Sequence, residues 1–279
     1  MVAVFLALGT ALLWGAADFL GGLKSRVAST LAVVGISQVA GLVPVAVFIA
    51  VTQEAPPDQR YLLYGASAGL VSMVGLSALY RGLAVGSMSV VAPIGAAGAI
   101  VPVAVGIGRG EDPSWIQGAG MVLVLVGVVL ASREPGGDSR RTALASGVGL
   151  GLVSAACLGV FYVALDSASA GSPVWAVLMQ RSAFVAVVVP IAVAFRRRLS
   201  LGRRDVPAIV LIGLLDVGAL VLLAEATTHG LVSVVSVIAS LYPVTTVVLA
   251  HLLLGERIAV SQRAGVVGAF AGVALVTAG

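Results

Sequence analysis

The chain is a succession of apolar runs, each close to twenty residues long, broken by short turns that carry charge or proline. A bilayer hydrocarbon core of about 30 Å takes roughly 20 apolar residues to cross as a helix. Backbone amides in lipid must be satisfied within the segment, so the runs read as helices; a barrel would show alternating segments of about ten residues. The predicted spans are 3–22, 29–51, 61–82, 87–108, 115–132, 144–165, 173–195, 206–226, 231–253 and 262–278. The breaks between them are chemically distinct. Gln53-Glu54-Ala55-Pro56-Pro57-Asp58 cannot continue a helix through lipid, and Arg109-Gly110-Glu111-Asp112-Pro113 is charged and ends in proline. Glu134-Pro135-Gly136-Gly137-Asp138 is the most linker-like stretch, and Arg196 to Asp205 forms a basic loop.

Composition agrees with this reading. Only 10% of the 279 residues are charged, against roughly 25% in a soluble domain, so most of the surface is not built for water. Thirty-five glycines suit close approach of membrane helices. The formal charge is +4, but the basic residues sit in short loops without interleaved aromatics, which argues against nucleic acid as a partner. The single cysteine, Cys157, lies in an apolar run and can form neither an internal disulfide nor a metal cluster. The first run, Val2 to Leu23, has no positive segment before it and reads as a span rather than a cleaved leader.

The two halves of the chain repeat. A shift of 144 residues places Gly15 on Gly159, Gly86 on Gly230, Ser89-Val90-Val91 on Ser233-Val234-Val235 and Ile94 on Ile238. A shift of 145 places Gly110-Glu111 on Gly255-Glu256, Gln117 on Gln262, Gly120 on Gly265, Gly127 on Gly272 and Leu130 on Leu275. The implied organisation is a five-helix repeat over 1–132, an inter-repeat loop over 133–143 and a second five-helix repeat over 144–279. Five is odd, so the second repeat enters the membrane from the opposite side, an arrangement that puts a solute site near the midplane. The loops after odd-numbered spans hold Lys24, Arg26, Arg81, Arg133, Arg140, Arg141, Arg196, Arg197, Arg198, Arg203, Arg204, Arg257 and Arg263; the other loops hold Arg60 and Arg109. The positive-inside rule therefore places the odd loops in the cytoplasm and both termini outside a cell (inner) membrane.

The sequence Ser240-Leu241-Tyr242-Pro243, followed by Leu254-Gly255-Glu256-Arg257, Gln262-Arg263-Ala264-Gly265 and Gly268-Ala269-Phe270-Ala271-Gly272, resembles the EamA family of the drug/metabolite transporter superfamily. Leu13-Trp14-Gly15, Gly110-Glu111, Gly120 and Gly127 carry the likeness through the first half. The resemblance implies a ten-helix carrier of amino acids, metabolites, sugars or drugs, with a cavity among spans 1, 3, 4, 6, 8 and 9 and structural roles for spans 5 and 10. The first repeat departs from the second at Ala99, opposite Pro243, and at Trp14, opposite Leu158.

Ionisable groups at membrane depth are costly and mark candidate sites. Asp216 lies in the middle of span 8, and Arg181, next to Gln180, is within reach of it as a structural ion pair or a solute contact. Asp18 follows Trp14 by one helical turn, which puts ring and carboxylate on one face, a combination suited to an organic cation, an amine or a proton. Solvation or a pairing with Lys24 is the plainer reading of Asp18. Arg81 and Glu225 are equivalent in the two repeats and are gate candidates or solvated helix ends. Asp166 and His229 read as interfacial, His251 and Gln38 as path-lining or locally satisfied, and Pro93, Pro102 and Pro243 as bends in spans 4 and 9. Gly65–Gly69, Gly82–Gly86, Gly147–Gly151 and Gly268–Gly272 have the spacing of close helix contacts.

The expectation is a secondary transporter, a permease moving a small-molecule substrate, mainly as efflux, by alternating access as a monomer or homodimer. No cofactor or metal is expected, and coupling would come from a proton or solute gradient. A non-transporting membrane scaffold and a sugar uptake permease of the same fold are the alternatives. No catalytic motif appears, so the chain is not expected to be an enzyme.

Overall fold

In the computed structural model, the described residues are 1–85, 91, 94–131, 141–195, 201–254 and 260–278. Gly86, Ser89, Val90, Pro93, Gly255-Glu256-Arg257, Arg133, Arg140, Arg196–Arg198 and most of the inter-repeat loop lie outside them.

The described residues are helical, without strands. The first half holds α1 (Val2–Val27), α2 (Thr30–Thr52), α3 (Gln59–Val85), a 3-10 turn at Ala97–Ala99 leading into α4 (Ile100–Gly108), and α5 (Trp115–Ala131). The second holds α6 (Arg141–Ser169), α7 (Pro173–Ala194), α8 (Val206–His229), α9 (Val232–Ala239), α10 (Tyr242–Leu254) and α11 (Val260–Ala278). By length and composition, seven helical segments among the described residues could cross a membrane, the last of them α9 and α10 together; Ile94–Gly108, Trp115–Leu130 and Arg263–Val276 are shorter apolar helices.

Side-chain size is distributed in the reverse of a water-soluble bundle. The buried stripe of α1 is mostly small, with Ala3, Ala7, Thr10, Ala11, Gly15, Ala17, Gly21 and Gly22, whereas Phe5, Leu12, Leu63, Leu152 and Leu252 face outward and are 59–70% exposed. Small residues inside let helix axes approach closely, and large apolar residues outside suit an apolar solvent.

The breaks have local causes. Gln53 ends α2 in the left-handed region at φ 50°, and Gly110 makes the turn after α4 at φ 94°. Ser114 and Gln117 cap α5 reciprocally, each side-chain oxygen accepting the other's backbone N–H at 3.2 and 2.9 Å. Ser172 caps α7, with Pro173 as its first residue. The chain breaks at Ser240-Leu241, between α9 and α10, and Pro243 is the second residue of the new helix. Pro102 likewise stands near the start of α4. Pro243 therefore opens a new helical segment, where a first-turn amide needs no partner within the helix, whereas Pro102 lies within the run Ile94–Gly108, just after its 3-10 turn.

Contacts fix the directions of the helices. Thr10 reaches the Ala219 carbonyl, Trp14 reaches Asp216 and Lys24 reaches Asp205, so α1 and α8 run antiparallel. Gly75 lies against Cys157 and Leu158, and Gly82 against Leu150, so α3 and α6 are antiparallel too. In the α5–α11 pair, Gly120 packs on Gly272 while Gly127 packs on Gly265 and Ala269. A Cβ at Gly120 would come within 2.7 Å of the Gly272 carbonyl oxygen, so this approach requires glycine.

Candidate functional site

Four of the sequence-chosen residues, Trp14, Asp18, Arg181 and Asp216, line one central cavity of about 60 Å³. Its walls come from α1, α2, α3, α6, α7, α8 and the start of α10. The space suffices for roughly four waters and is below the roughly 150 Å³ that holds a benzene-sized guest.

One side of the cavity is a closed hydrogen-bond network. Arg181 is 1% exposed and donates through Nη1 to Asp216 Oδ2 at 2.8 Å. The same nitrogen donates to Gln38 Oε1. Gln38 Nε2 donates to Asp216 Oδ2 at 3.1 Å, and Trp14 Nε1 donates to Asp216 Oδ1 at 2.9 Å. Both Asp216 oxygens are thus occupied, and the network ties α1, α2, α7 and α8 together. A buried charge is tolerated only when paired and hydrogen-bonded in this way.

Asp18 is placed differently. It shares a side-chain hydrogen bond with Tyr80, and it lines the cavity together with Asp216, Tyr162 and Tyr242. The pairing with Lys24 considered from sequence is not what the structure shows: Lys24 Nζ binds Asp205 at 2.7 Å, two turns further along α1 from Asp18. Trp14, Phe161 and Tyr162 form an aromatic cluster beside the acid, with Trp14 edge-on to Tyr162 at 6.0 Å and 6.3 Å from Phe161. Gly15 makes room for this corner. Its Cβ position would overlap Tyr242 and Thr245, and Thr246 Oγ1 donates to its carbonyl at 3.1 Å.

Three buried polar atoms of the lining residues have no hydrogen-bond partner among the described residues: Gln180 Oε1, Arg181 Nε and the Tyr242 hydroxyl. Together they offer an acceptor, a donor and a group able to do either.

The gate candidates do not join this cavity. Glu225 binds His229 at 3.0 Å one turn away, with both side chains nearly half exposed, and Arg81 is exposed near the end of α3. Asp166 pairs with Arg109 at 3.1 Å, away from the cavity lining.

Gln38 stands at the centre of the network, although from sequence it was one of several path-lining candidates. Ser72, Tyr80, Tyr162 and Tyr242 escaped sequence reasoning. The signal was present for two of them: the shift of 144 that places Gly15 on Gly159 also places Asp18 on Tyr162 and Ser72 on Asp216. Each member of the Ser72/Asp216 pair also takes an amide, although the two amides are not equivalent at that shift. Gln38 on α2 reaches Asp216 on α8, and Gln180 on α7 donates to Ser72 on α3 at 2.8 Å. The scaffold is repeated while its chemistry is not, since one half supplies the carboxylate and the other a hydroxyl.

Glu111 also acquires a role. Its carboxylate accepts the backbone N–H groups of Val232 and Ser233 at 2.8 and 3.1 Å, capping the first turn of α9 in the other half of the molecule. The glutamate of the Gly110-Glu111 pair thus acts across the repeats. The equivalent Glu256 lies outside the described residues.

The model of the EamA-like transporter family matches residues 1–133 and 145–278. Among solved structures, a crystal structure described only as that of a protein aligns with a TM-score of 0.79 over 99% of this chain and 96% of its own, at 14% identity. At that identity the likeness concerns the fold. No curated protein matches the chain.

Proposed function

The chain belongs to the EamA-like transporter family, and from that premise we propose that it is a secondary carrier that moves a small organic solute through the cavity between its two halves. The observation that carries this reading is the cavity itself. Charged, amide and aromatic side chains from both repeats converge there, at the middle of helices whose outer faces are apolar. Sites of this kind form between repeats, near interrupted helices, in secondary transporters; the break at Ser240-Leu241 delivers Tyr242 to this one.

The two repeats enter the membrane from opposite faces. Consecutive helices reverse direction, so α3 runs with α1, and α3 is antiparallel to α6; the repeat-equivalent helices α1 and α6 are therefore opposed. The glycine contacts of α5 and α11 support the same relation. Each half offers an equivalent pair of glycines, and the first of one meets the second of the other, the pattern a two-fold axis produces. The ends of α1 and α3 and the starts of α6, α8 and α11 then share one face, which gathers Lys24, Arg26, Arg81, Arg141, Arg203, Arg204 and Arg263. That face is cytoplasmic in a cell (inner) membrane, and both termini are outside.

Within the site, the roles divide. Arg181, Gln38 and Asp216 hold the helices in register, because the charge of Arg181 is matched by Asp216 and both are tied to Gln38. Asp18 and Trp14 meet the solute. Transport follows an ion or solute gradient, with outward movement as the working direction and a proton as the first coupling ion to test.

The test is a counterflow screen of small organic solutes with the purified protein in liposomes, with and without an imposed pH gradient. At least one solute should exchange above the rate in empty vesicles, and Asp18→Asn should abolish exchange without lowering thermal stability. Exchange at the unmodified rate in that variant, or no exchange of any solute tested, refutes the proposal.

A further inference from the structure

We infer that the central cavity selects a small organic monocation, a primary or substituted ammonium, with Asp18 as its counter-ion and Trp14, Phe161 and Tyr162 as its wall. The inference rests on the carrier reading above and narrows its substrate class.

Charge comes first. The described lining holds two carboxylates, Asp18 and Asp216, and one base, Arg181. Arg181 is already matched by Asp216 at 2.8 Å and by Gln38, so its positive charge is committed. Lys24, the cation nearest to Asp18 along α1, is held by Asp205. Among the described residues, the side-chain partner of Asp18 is the Tyr80 hydroxyl, which carries no positive charge. When Asp18 gives up its proton, which a bound cation would favour, the lining carries one negative charge in excess. An anionic solute would add a second. A zwitterion would bring a carboxylate whose partner, the Arg181 guanidinium, is already shared with Asp216.

The walls agree with the charge. Ring faces attract a cation through their quadrupole within about 6 Å, and three mutually packed aromatics stand on the Trp14 side of the acid, with Phe161 and Tyr162 centroids 5.6 Å apart. An ammonium at Asp18 would have N–H or C–H groups turned toward rings. The unpartnered Gln180 Oε1 and Tyr242 hydroxyl supply further acceptors for N–H donors, and the unpartnered Arg181 Nε offers a donor for a hydroxyl or carbonyl on the solute. The volume keeps the solute small: about 60 Å³ in this conformation is well under the roughly 150 Å³ that holds a benzene-sized guest.

The test uses a charge series of small solutes: propylammonium, 1-propanol, propionate and alanine. Binding is read by the fluorescence of Trp14 in a Trp115→Phe, Trp175→Phe background of the full chain, and flux is read in liposomes made with the same protein. Propylammonium should bind at least tenfold tighter than each of the other three. Asp18→Asn should weaken it at least tenfold, Asp18→Glu should keep the order of the series, and Asp58→Asn in the exposed loop should change nothing. Should Asp18→Asn not fold, the series on the otherwise unmodified chain still decides. Equal or tighter binding of propionate, propanol or alanine overturns the inference, as does an absence of propylammonium binding or an Asp18→Asn variant that binds it normally. Binding of propylammonium without flux contradicts the carrier reading and leaves the cation site standing. Flux of an anion or zwitterion without propylammonium binding does the reverse.

Discussion

Asp18 and Asp216 have the same side chain and share one cavity, yet their neighbours differ. Asp216 accepts from Trp14, Gln38 and Arg181, and removing its charge leaves a 1% exposed guanidinium uncompensated. Breaking one side of such a pair costs about 3–5 kcal/mol, which for a chain of this size lowers the melting temperature by on the order of 10 °C. Asp216→Asn is therefore expected to lower thermal stability in detergent by that order, and Asp18→Asn to leave it within a few degrees. Equal melting temperatures for the two variants would mean that the network does not hold the helices. Much of this was legible beforehand. A lone aspartate or arginine in an apolar run stands out because the cost of burying charge is large. Tyr80, Tyr162 and Tyr242 do not stand out, since a tyrosine with its apolar ring is at home in such a run and only its position beside the acid gives it meaning. The repeat did place Tyr162 on Asp18, but an aromatic opposite a carboxylate does not read as a match.

At the scale of the element, the breaks and close contacts matter more than the spans. Helix existence follows from apolar length alone, which is why the runs were readable. The interruption of the ninth span at Ser240-Leu241 was not, because Pro243 is equally compatible with a kink in a continuous helix. The capping of α9 by Glu111 was hidden for another reason: the partner amides lie 121 and 122 residues away. Losing a side-chain cap costs about 0.5–2 kcal/mol. Glu111→Ala should show a loss of that size in thermal unfolding, while Glu111→Gln, which retains an acceptor oxygen, should lose less; an identical loss in both would assign the effect to charge rather than to the cap. The α5–α11 contact makes a second prediction. Gly127 lies against Gly265 and Ala269, where a side chain has no room, so Gly127→Leu should destabilise by about 1–3 kcal/mol or more. Gly118, in the same helix with open space beside it, should accept leucine without loss.

The whole molecule is two sets of helices whose small faces meet around a polar centre and whose large apolar faces turn outward. The family likeness was legible because it rests on punctuation, Gly-Glu turns and glycine-rich helices, that the repeat displays twice. The solute was not, because a fold of this kind fixes where a site forms while a handful of side chains fixes what enters it. Orientation is open to direct measurement: a C-terminal reporter that fluoresces only in the cytoplasm should be dark, and a bright one would invert the assignment of faces. The central claim is that a single cavity opens in turn to both sides of the membrane. It is tested most directly by placing one cysteine at Ser72, on the cavity wall, in a Cys157→Ala background, and labelling oriented vesicles with an impermeant thiol reagent from either side. The account predicts labelling from each face, with solute or a reversed gradient raising one rate as it lowers the other. A cysteine that reacts from one face only under every condition, or from neither, would contradict it.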